Sequence, residues 1–250
     1  MTDAWSAAAV GPPLGPTVWN VDLALSETQL RAAQEVLSGE EKLRLARFAR
    51  PIDRDRYAAS HAALRFILGR SVGIDPAALT FGLGPSGKPE AGAAWPRHLH
   101  FNLAHSGARA LVGVSRTARI GVDVEAVRPL DDALRIARAH FDPTEVAALE
   151  ALAPEAVEPA FFALWTCKEA VVKALGAGLS MPLDRFAVTV PPQAAAILRM
   201  DDPATRREDW SLHRFTPHVG YAGAAAIEGG GGCDLVRLPA GWIDELGARP

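Results

Sequence analysis

The sequence predicts an α+β fold made of two similar lobes, and three observations carry that prediction. Strand-like alternation and helix-like periodicity follow one another in a similar order in residues 17–120 and 121–227, which points to a duplicated α+β unit. Apolar residues make up 49% of the 250, enough to fill a core in one large domain or two small ones. The 26 Lys and Arg nearly balance 29 Asp and Glu, leaving a net charge of -3, which excludes disorder throughout. With a pI near 6.2 there is no broad basic footprint for nucleic acid or anionic lipid.

Residues 1–16 are rich in Gly and Pro and carry no Lys or Arg ahead of their apolar stretch, so they read as a loose leader rather than a signal peptide. Residues 17–25 (TVWNVDLAL) alternate as a half-buried strand does, and Ser26-Glu-Thr-Gln starts a helix. Ser38 caps a second helix over 38–50, and 53–72 forms a long third helix. Eight Lys or Arg against two Asp lie between Lys42 and Arg70, a pattern that most often marks a solvated face. Residues 82–96 are loop material. Residues 98–105 and 108–116 read as two strands around a Ser-Gly turn, followed by a short strand over 120–124. Helices over 133–139, 143–152 and 158–175 come next, separated by Asp-Pro and Ala-Pro breaks, then strands over 186–190, 210–215 and 220–227. Residues 228–250, opening on a Gly run, are expected to be a peripheral tail.

Cys167 and Cys233 are too few for a disulfide framework and lie in no Cys/His cluster, which fits a reducing, cytoplasmic setting. No apolar run approaches the ~18 residues needed to span a bilayer.

In Gly121-Val-Asp-Val-Glu the strand period of two puts Asp123 and Glu125 on one face and Val122 and Val124 on the other. Carboxylates held side by side repel unless a hard divalent cation or a Lys or Arg offsets them. With no His or Cys beside them, an oxygen-only pair suits Mg²⁺ or Mn²⁺ better than zinc, although an exposed edge strand with alternating acids would look the same. The helix FFALWTCKEAVVKALGAG (161–178) is apolar apart from Lys168, Glu169 and Lys173. Glu169 and Lys173 stand four apart in the order that suits a helix salt bridge, but a salt bridge does not explain three ionisable groups in so apolar a helix. Glu169 meeting the strand pair would complete a set of oxygen ligands, and a neighbouring Lys could contact a phosphate bound to the same metal.

SGKP, FNLAHSG, GVDVEAVRP and WTCKEAVVKALGAGLSMPLDRF, in this order and spacing, resemble the motifs of the 4'-phosphopantetheinyl transferase superfamily, in particular its surfactin-synthetase-activating type, over residues 17–227. The resemblance implies two lobes of antiparallel sheet and packed helices with coenzyme A in the cleft between them. It also implies transfer of the phosphopantetheine arm to a serine of an apo acyl or peptidyl carrier protein, releasing adenosine 3',5'-bisphosphate. By similarity, Asp123, Glu125 and Glu169 hold Mg²⁺ on the pyrophosphate, Glu169 accepts the serine proton directly or through water, and Lys173 neutralises phosphate oxygens. Asp123 thereby also counts among the coenzyme A residues, together with Lys88, Pro89, Asn102 and His105 in the motifs. Arg44 and Arg50 are the candidates for gripping the 3'-phosphate.

Two positions depart from the family pattern: Ala104 stands where a Ser often precedes the motif His, and Glu41 where some relatives carry a basic residue. Carrier contact is expected from residues 176–186, through Leu179, Met181 and Leu183, unless these simply pack the core. Fatty-acid, polyketide and nonribosomal-peptide carriers all present a serine, so the resemblance implies a carrier partner without choosing among them. A monomer suffices, with no nucleic acid or membrane partner. The rival readings are a non-catalytic module that binds coenzyme A or a carrier, and a Mg²⁺-dependent nucleotide phosphohydrolase.

Overall fold

Two sheets of different make-up organise the chain, whose computed structural model describes residues 15–84, 89–92, 95, 99–178 and 181–246. The first is formed by β1 (Thr17–Asp22), β4 (His100–Ser106) and β5 (Arg109–Ser115), antiparallel in the order β1-β5-β4, with β11 (Asp234–Arg237) added parallel to β1 on its far edge. Helices α1 (Glu27–Glu35) and α3 (Pro51–Val72) cover one face, so that Trp19, Val21, Phe66, Ile67 and Val112 share a core. The second sheet is antiparallel, in the order β6 (Ile120–Ala126), β10 (Tyr221–Glu228), β9 (Trp210–Phe215). The helix α6 (Pro154–Leu175) packs across it, with α4 (Ala133–His140) and α5 (Pro143–Glu150) against its flank. The architecture is therefore α+β, with mostly antiparallel sheets; the one parallel pair, β1 with β11, departs from the all-antiparallel expectation.

The two sheets meet where β4 runs beside β6. Val18, Leu111, Ile120, Val122, Val124, Ala225 and Ile227 form an apolar layer between them. Two side chains of β4 serve backbone groups of β6: Asn102 Oδ1 accepts from the Val122 amide at 2.8 Å, and Ser106 Oγ accepts from the Ala126 amide at 3.1 Å.

Helix boundaries follow local chemistry. Ser26 opens α1 and Ser38 opens α2 (Gly39–Leu45), each in a reciprocal capping box, with Gln29 and Glu41 respectively. The helix expected over 38–50 stops at Leu45, and Arg50, which precedes Pro51, is held extended at φ -97°, ψ 128°, so α2 does not run on into α3. Pro51 and Pro154 take the first-turn position that tolerates a missing N–H, so α3 and α6 begin before 53 and 158, and Pro159 is accommodated within α6. Both long helices end on a left-handed glycine, Gly73 and Gly176, each with φ 71°.

Two other expectations need correction. The stretch 82–96 is not all loop: β2 (Phe81–Leu83) pairs antiparallel with β3 (Pro89–Ala91). The stretch 228–250 is not peripheral. Its β11 extends the first sheet, and Leu238, Trp242 and Ile243 are buried in the first core, where Trp242 stacks obliquely on Phe66 at 5.6 Å. A remaining small pair joins β7 (Phe186–Val188) to β8 (Ile197–Met200). Both cysteines are free thiols, and among the described residues no helix is long and apolar enough to cross a membrane.

Candidate active site

The alternation of β6 creates the site. Val122 and Val124 enter the layer between the sheets, which turns Gly121, Asp123 and Glu125 towards α6. Gly121 lets the strand and helix touch backbone to backbone: a Cβ there would lie 2.2 Å from the Ala170 carbonyl and 2.3 Å from the Ala174 nitrogen. One step along the strand, Lys173 Nζ on α6 donates to Asp123 Oδ1 at 2.6 Å.

Asp123 is only 4% exposed, and its Oδ2 is buried without a hydrogen-bond partner. Burial pushes its pKa up to about 7; Lys173 opposes that shift, while the negative charges of Glu125 and Glu169 add to it. The half-buried Glu125 lies 2.7 Å through its Oε2 from Ser106 Oγ. Among the described residues, no three His, Cys, Asp or Glu side chains are gathered tightly enough to hold a metal in this arrangement, and Lys173 serves as the counter-ion of Asp123. The donors nonetheless suit a hard divalent cation: they are carboxylate oxygens alone, they repel one another, and one of them is a buried oxygen left without a partner.

A cationic group adjoins the acids. His105, near the end of β4, has an edge open to solvent, yet the protein packed around its ring lowers its pKa, and Lys173, Arg56 and Arg44 lower it further, against Asp53. The Arg44 guanidinium sits 5.7 Å from the Tyr57 ring centroid, and Tyr57 stacks on His61 at 3.8 Å. Burial pushes His61 down to about 4. Arg56 and His61 were not singled out from the sequence; the only signal was their place in the basic stretch.

The structure sorts the remaining candidates. Arg50, 75% exposed, faces Asp53 at 3.7 Å. Glu41 is structural: it closes the cap of α2 and accepts from the fully buried Arg65 Nε at 2.7 Å. Asn102 has its oxygen committed to the Val122 amide. Pro89, on β3, lines a cavity of 370 Å³ with Leu99, Phe101, Ile120 and the α6 end at Ala174–Gly176, next to Lys173. Lys88 and Leu179 lie outside the described residues. Met181 and Leu183 are half-buried against the second core.

Lys168, the ionisable neighbour of Glu169 on α6, belongs to a different cluster. Lys168 turns away from β6 and is wholly buried, donating to both oxygens of Glu145 at 2.8 and 2.7 Å and to the Phe186 carbonyl at 2.8 Å. Glu145 also accepts from the amides of Val188 at 2.7 Å and Asp142 at 3.0 Å. Burial pushes Glu145 up and Lys168 down from their ordinary ranges, and their mutual contact opposes both shifts. Four donors on one carboxylate and three acceptors on one ammonium fit the ionised pair.

A family model described as the 4'-phosphopantetheinyl transferase superfamily matches residues 119–226, the span that holds β6 and α6. The 4'-phosphopantetheinyl transferase HetI of Nostoc sp. is 36% identical over 215 residues, covering 86% of this chain and 88% of its own. The 4'-phosphopantetheinyl transferase Sfp of Bacillus subtilis is 29% identical over 184 residues, covering 73% of this chain and 79% of its own. The psf-1 transferase of Bacillus pumilus is 31% identical over 174 residues, covering 70% and 72% respectively. The chain belongs to the 4'-phosphopantetheinyl transferase superfamily.

Proposed function

We propose that the protein transfers the 4'-phosphopantetheine arm of coenzyme A to a serine hydroxyl of an apo acyl or peptidyl carrier protein, releasing adenosine 3',5'-bisphosphate. The observation that carries this reading is the buried Asp123, with one oxygen on Lys173 and the other unpartnered, standing beside the cationic group around His105. A polyanionic substrate with a reacting pyrophosphate needs that combination of acids for a cation and bases for phosphates.

In this reading coenzyme A lies between two similar lobes. Arg44, Arg56 and His105 bind its nucleotide phosphates, with Lys88, Pro89 and Asn102 in the neighbouring motifs and Arg50 at the margin. Asp123, Glu125 and Glu169 would hold Mg²⁺, or Mn²⁺, which when bound supplies charge neutralisation at the pyrophosphate oxygens. Glu169 takes the proton of the carrier serine, whose oxygen then bonds to the β-phosphorus as the bond from that phosphorus to the bridging oxygen breaks. Lys173 donates to the oxygens of the departing bisphosphate. The chain acts as a monomer in the cytoplasm, where its two free cysteines stay reduced.

The test is intact-mass spectrometry of an apo carrier protein incubated with the chain, coenzyme A and Mg²⁺, with an EDTA control. A cation-dependent gain of about 340 Da, one phosphopantetheine added through phosphoryl transfer, is expected. Free 4'-phosphopantetheine with an unchanged carrier would identify a hydrolase instead. Coenzyme A binding with neither product would leave a binding module. Asp123→Ala should abolish the gain while the far-UV circular dichroism spectrum stays unchanged.

A further inference from the structure

The turn that joins β4 to β5 is anchored on the second sheet as well as on its own. The Ala108 amide donates to Tyr221 Oη at 3.0 Å, and Gly107, with φ 56°, leaves room for that hydroxyl, since a Cβ there would lie 2.6 Å from it. Within this clamped turn Ser106 makes two contacts with different polarities. Its Oγ accepts from the Ala126 amide at 3.1 Å and lies 2.7 Å from Glu125 Oε2. The Ala126 amide can only donate, so Ser106 accepts there and gives its single hydroxyl proton to Glu125 Oε2. Asn102, four residues earlier on β4, serves the Val122 amide in the same way. Ser106 differs in having its donor aimed at an acid of the site.

We propose that Ser106 is a positioning residue that holds the Glu125 carboxylate in one orientation and thereby sets the affinity of the site for its divalent cation, without touching coenzyme A or the reacting atoms. The inference rests on the functional reading above. Glu125 is a long side chain near the end of β6, half open to solvent, and it carries a like charge close to Asp123. Left to itself it would spread over several rotamers and turn away from that charge; a charge-assisted bond from a hydroxyl whose own direction is fixed by a backbone amide removes that freedom before the cation arrives.

The experiment titrates the full-length protein with Mn²⁺, followed by electron paramagnetic resonance in saturating coenzyme A without carrier. It compares wild type with Ser106→Ala, Ser106→Cys and Ser106→Thr, alongside thermal melts and the Mg²⁺ dependence of transfer. For Ser106→Ala the Mn²⁺ Kd should rise about tenfold, at the low end for loss of a group that orients a metal ligand. The Mg²⁺ midpoint should move by the same factor, with kcat and the coenzyme A KM at saturating Mg²⁺ near wild type. Ser106→Thr, which keeps the hydroxyl, should restore the affinity. Ser106→Cys keeps the size with a weaker donor, should weaken Mn²⁺ binding as well, and supplies the same comparison if the alanine variant does not fold. An unchanged Mn²⁺ Kd in the Ala or Cys variant, or a fall in kcat that saturating Mg²⁺ leaves in place, overturns the role of Ser106 while an active wild type keeps the transferase reading. A wild type that binds Mn²⁺ but transfers no arm overturns that reading instead.

Discussion

Replacing Lys168 by Met should destabilise the protein severely, because it leaves a charge stranded in the core. Glu145, 1% exposed, would keep its two amide donors from Val188 and Asp142 but lose both bonds to the ammonium, and the Phe186 carbonyl would lose its donor. Breaking a buried ion pair from one side costs about 3–5 kcal/mol. At 2–4 °C per kcal/mol for a chain of this size, that is a fall in Tm of about 6–20 °C. The double variant Glu145→Gln, Lys168→Met removes both charges. It leaves neutral backbone groups, one amide and the Phe186 carbonyl, short of a partner but strands no charge, so its cost should fall below that of the single change. Two changes should therefore hurt less than one. Urea unfolding followed in parallel by tryptophan fluorescence and far-UV circular dichroism gives the free energies by linear extrapolation. A Lys168→Met cost under about 1 kcal/mol, or a double variant less stable than that single one, would show that the pair is not the coupled ionic unit its geometry indicates.

Three further outcomes follow from other parts of the molecule. Gly121→Ala should both destabilise and inactivate, at or above the roughly 1–3 kcal/mol usual for overpacking, since the new methyl meets backbone atoms of α6 at 2.2 and 2.3 Å; wild-type turnover in a normally melting variant would contradict the contact. Arg56→Ala and His105→Ala should raise the coenzyme A KM more than they lower kcat, as expected for uniform binding of a nucleotide phosphate; a collapse of kcat at unchanged KM would move them into the chemistry. His61, at about 4 when folded against 6.5 unfolded, leaves the unfolded chain with more bound protons between those values. Its contribution is therefore whole above pH 6.5 and is lost as pH falls towards 4, by at most about 3 kcal/mol. His61→Gln should flatten that acid limb in unfolding free energies measured from pH 4 to 7, and an unaltered slope would show that the ring is not held neutral.

What could be read from the residues was whatever period and capping chemistry impose locally. The alternation in Gly121-Val-Asp-Val-Glu placed Asp123 and Glu125 on the face that meets α6, and the serine boxes placed the starts of α1 and α2. Partnerships between distant segments were beyond such signals. Nothing in Asp234–Arg237 announces a return to β1 across more than two hundred residues, and three-residue strands such as β2 and β3 are too short to show a period. Adjacent helical positions point about 100° apart, so Lys168 and Glu169 had to diverge, yet the burial of Lys168 against Glu145 and Phe186 depended on packing that no local signal announces. Asn102 looked like a ligand by its type and motif, and its oxygen binds a neighbouring strand. Arg50 and Arg56 are separated by the helix start at Pro51, which leaves Arg50 at the helix margin and carries Arg56 to His105.

The return of β11 also dictates an order of events at the ribosome. Chains emerge N-terminus first, and early domains generally fold as they appear. Here the first core waits for Leu238, Trp242 and Ile243, which are made after every strand of the second sheet. During synthesis the half that carries Arg44, Arg56 and His105 stays open-edged along β1, holding an unsealed strand until the last of these residues arrives. A stalled or prematurely terminated product lacking 234–246 should therefore lose the folded half that carries Arg44, Arg56 and His105 although those three residues have been made, and be handled by the cell as an aggregation-prone fragment rather than as a slightly shortened enzyme.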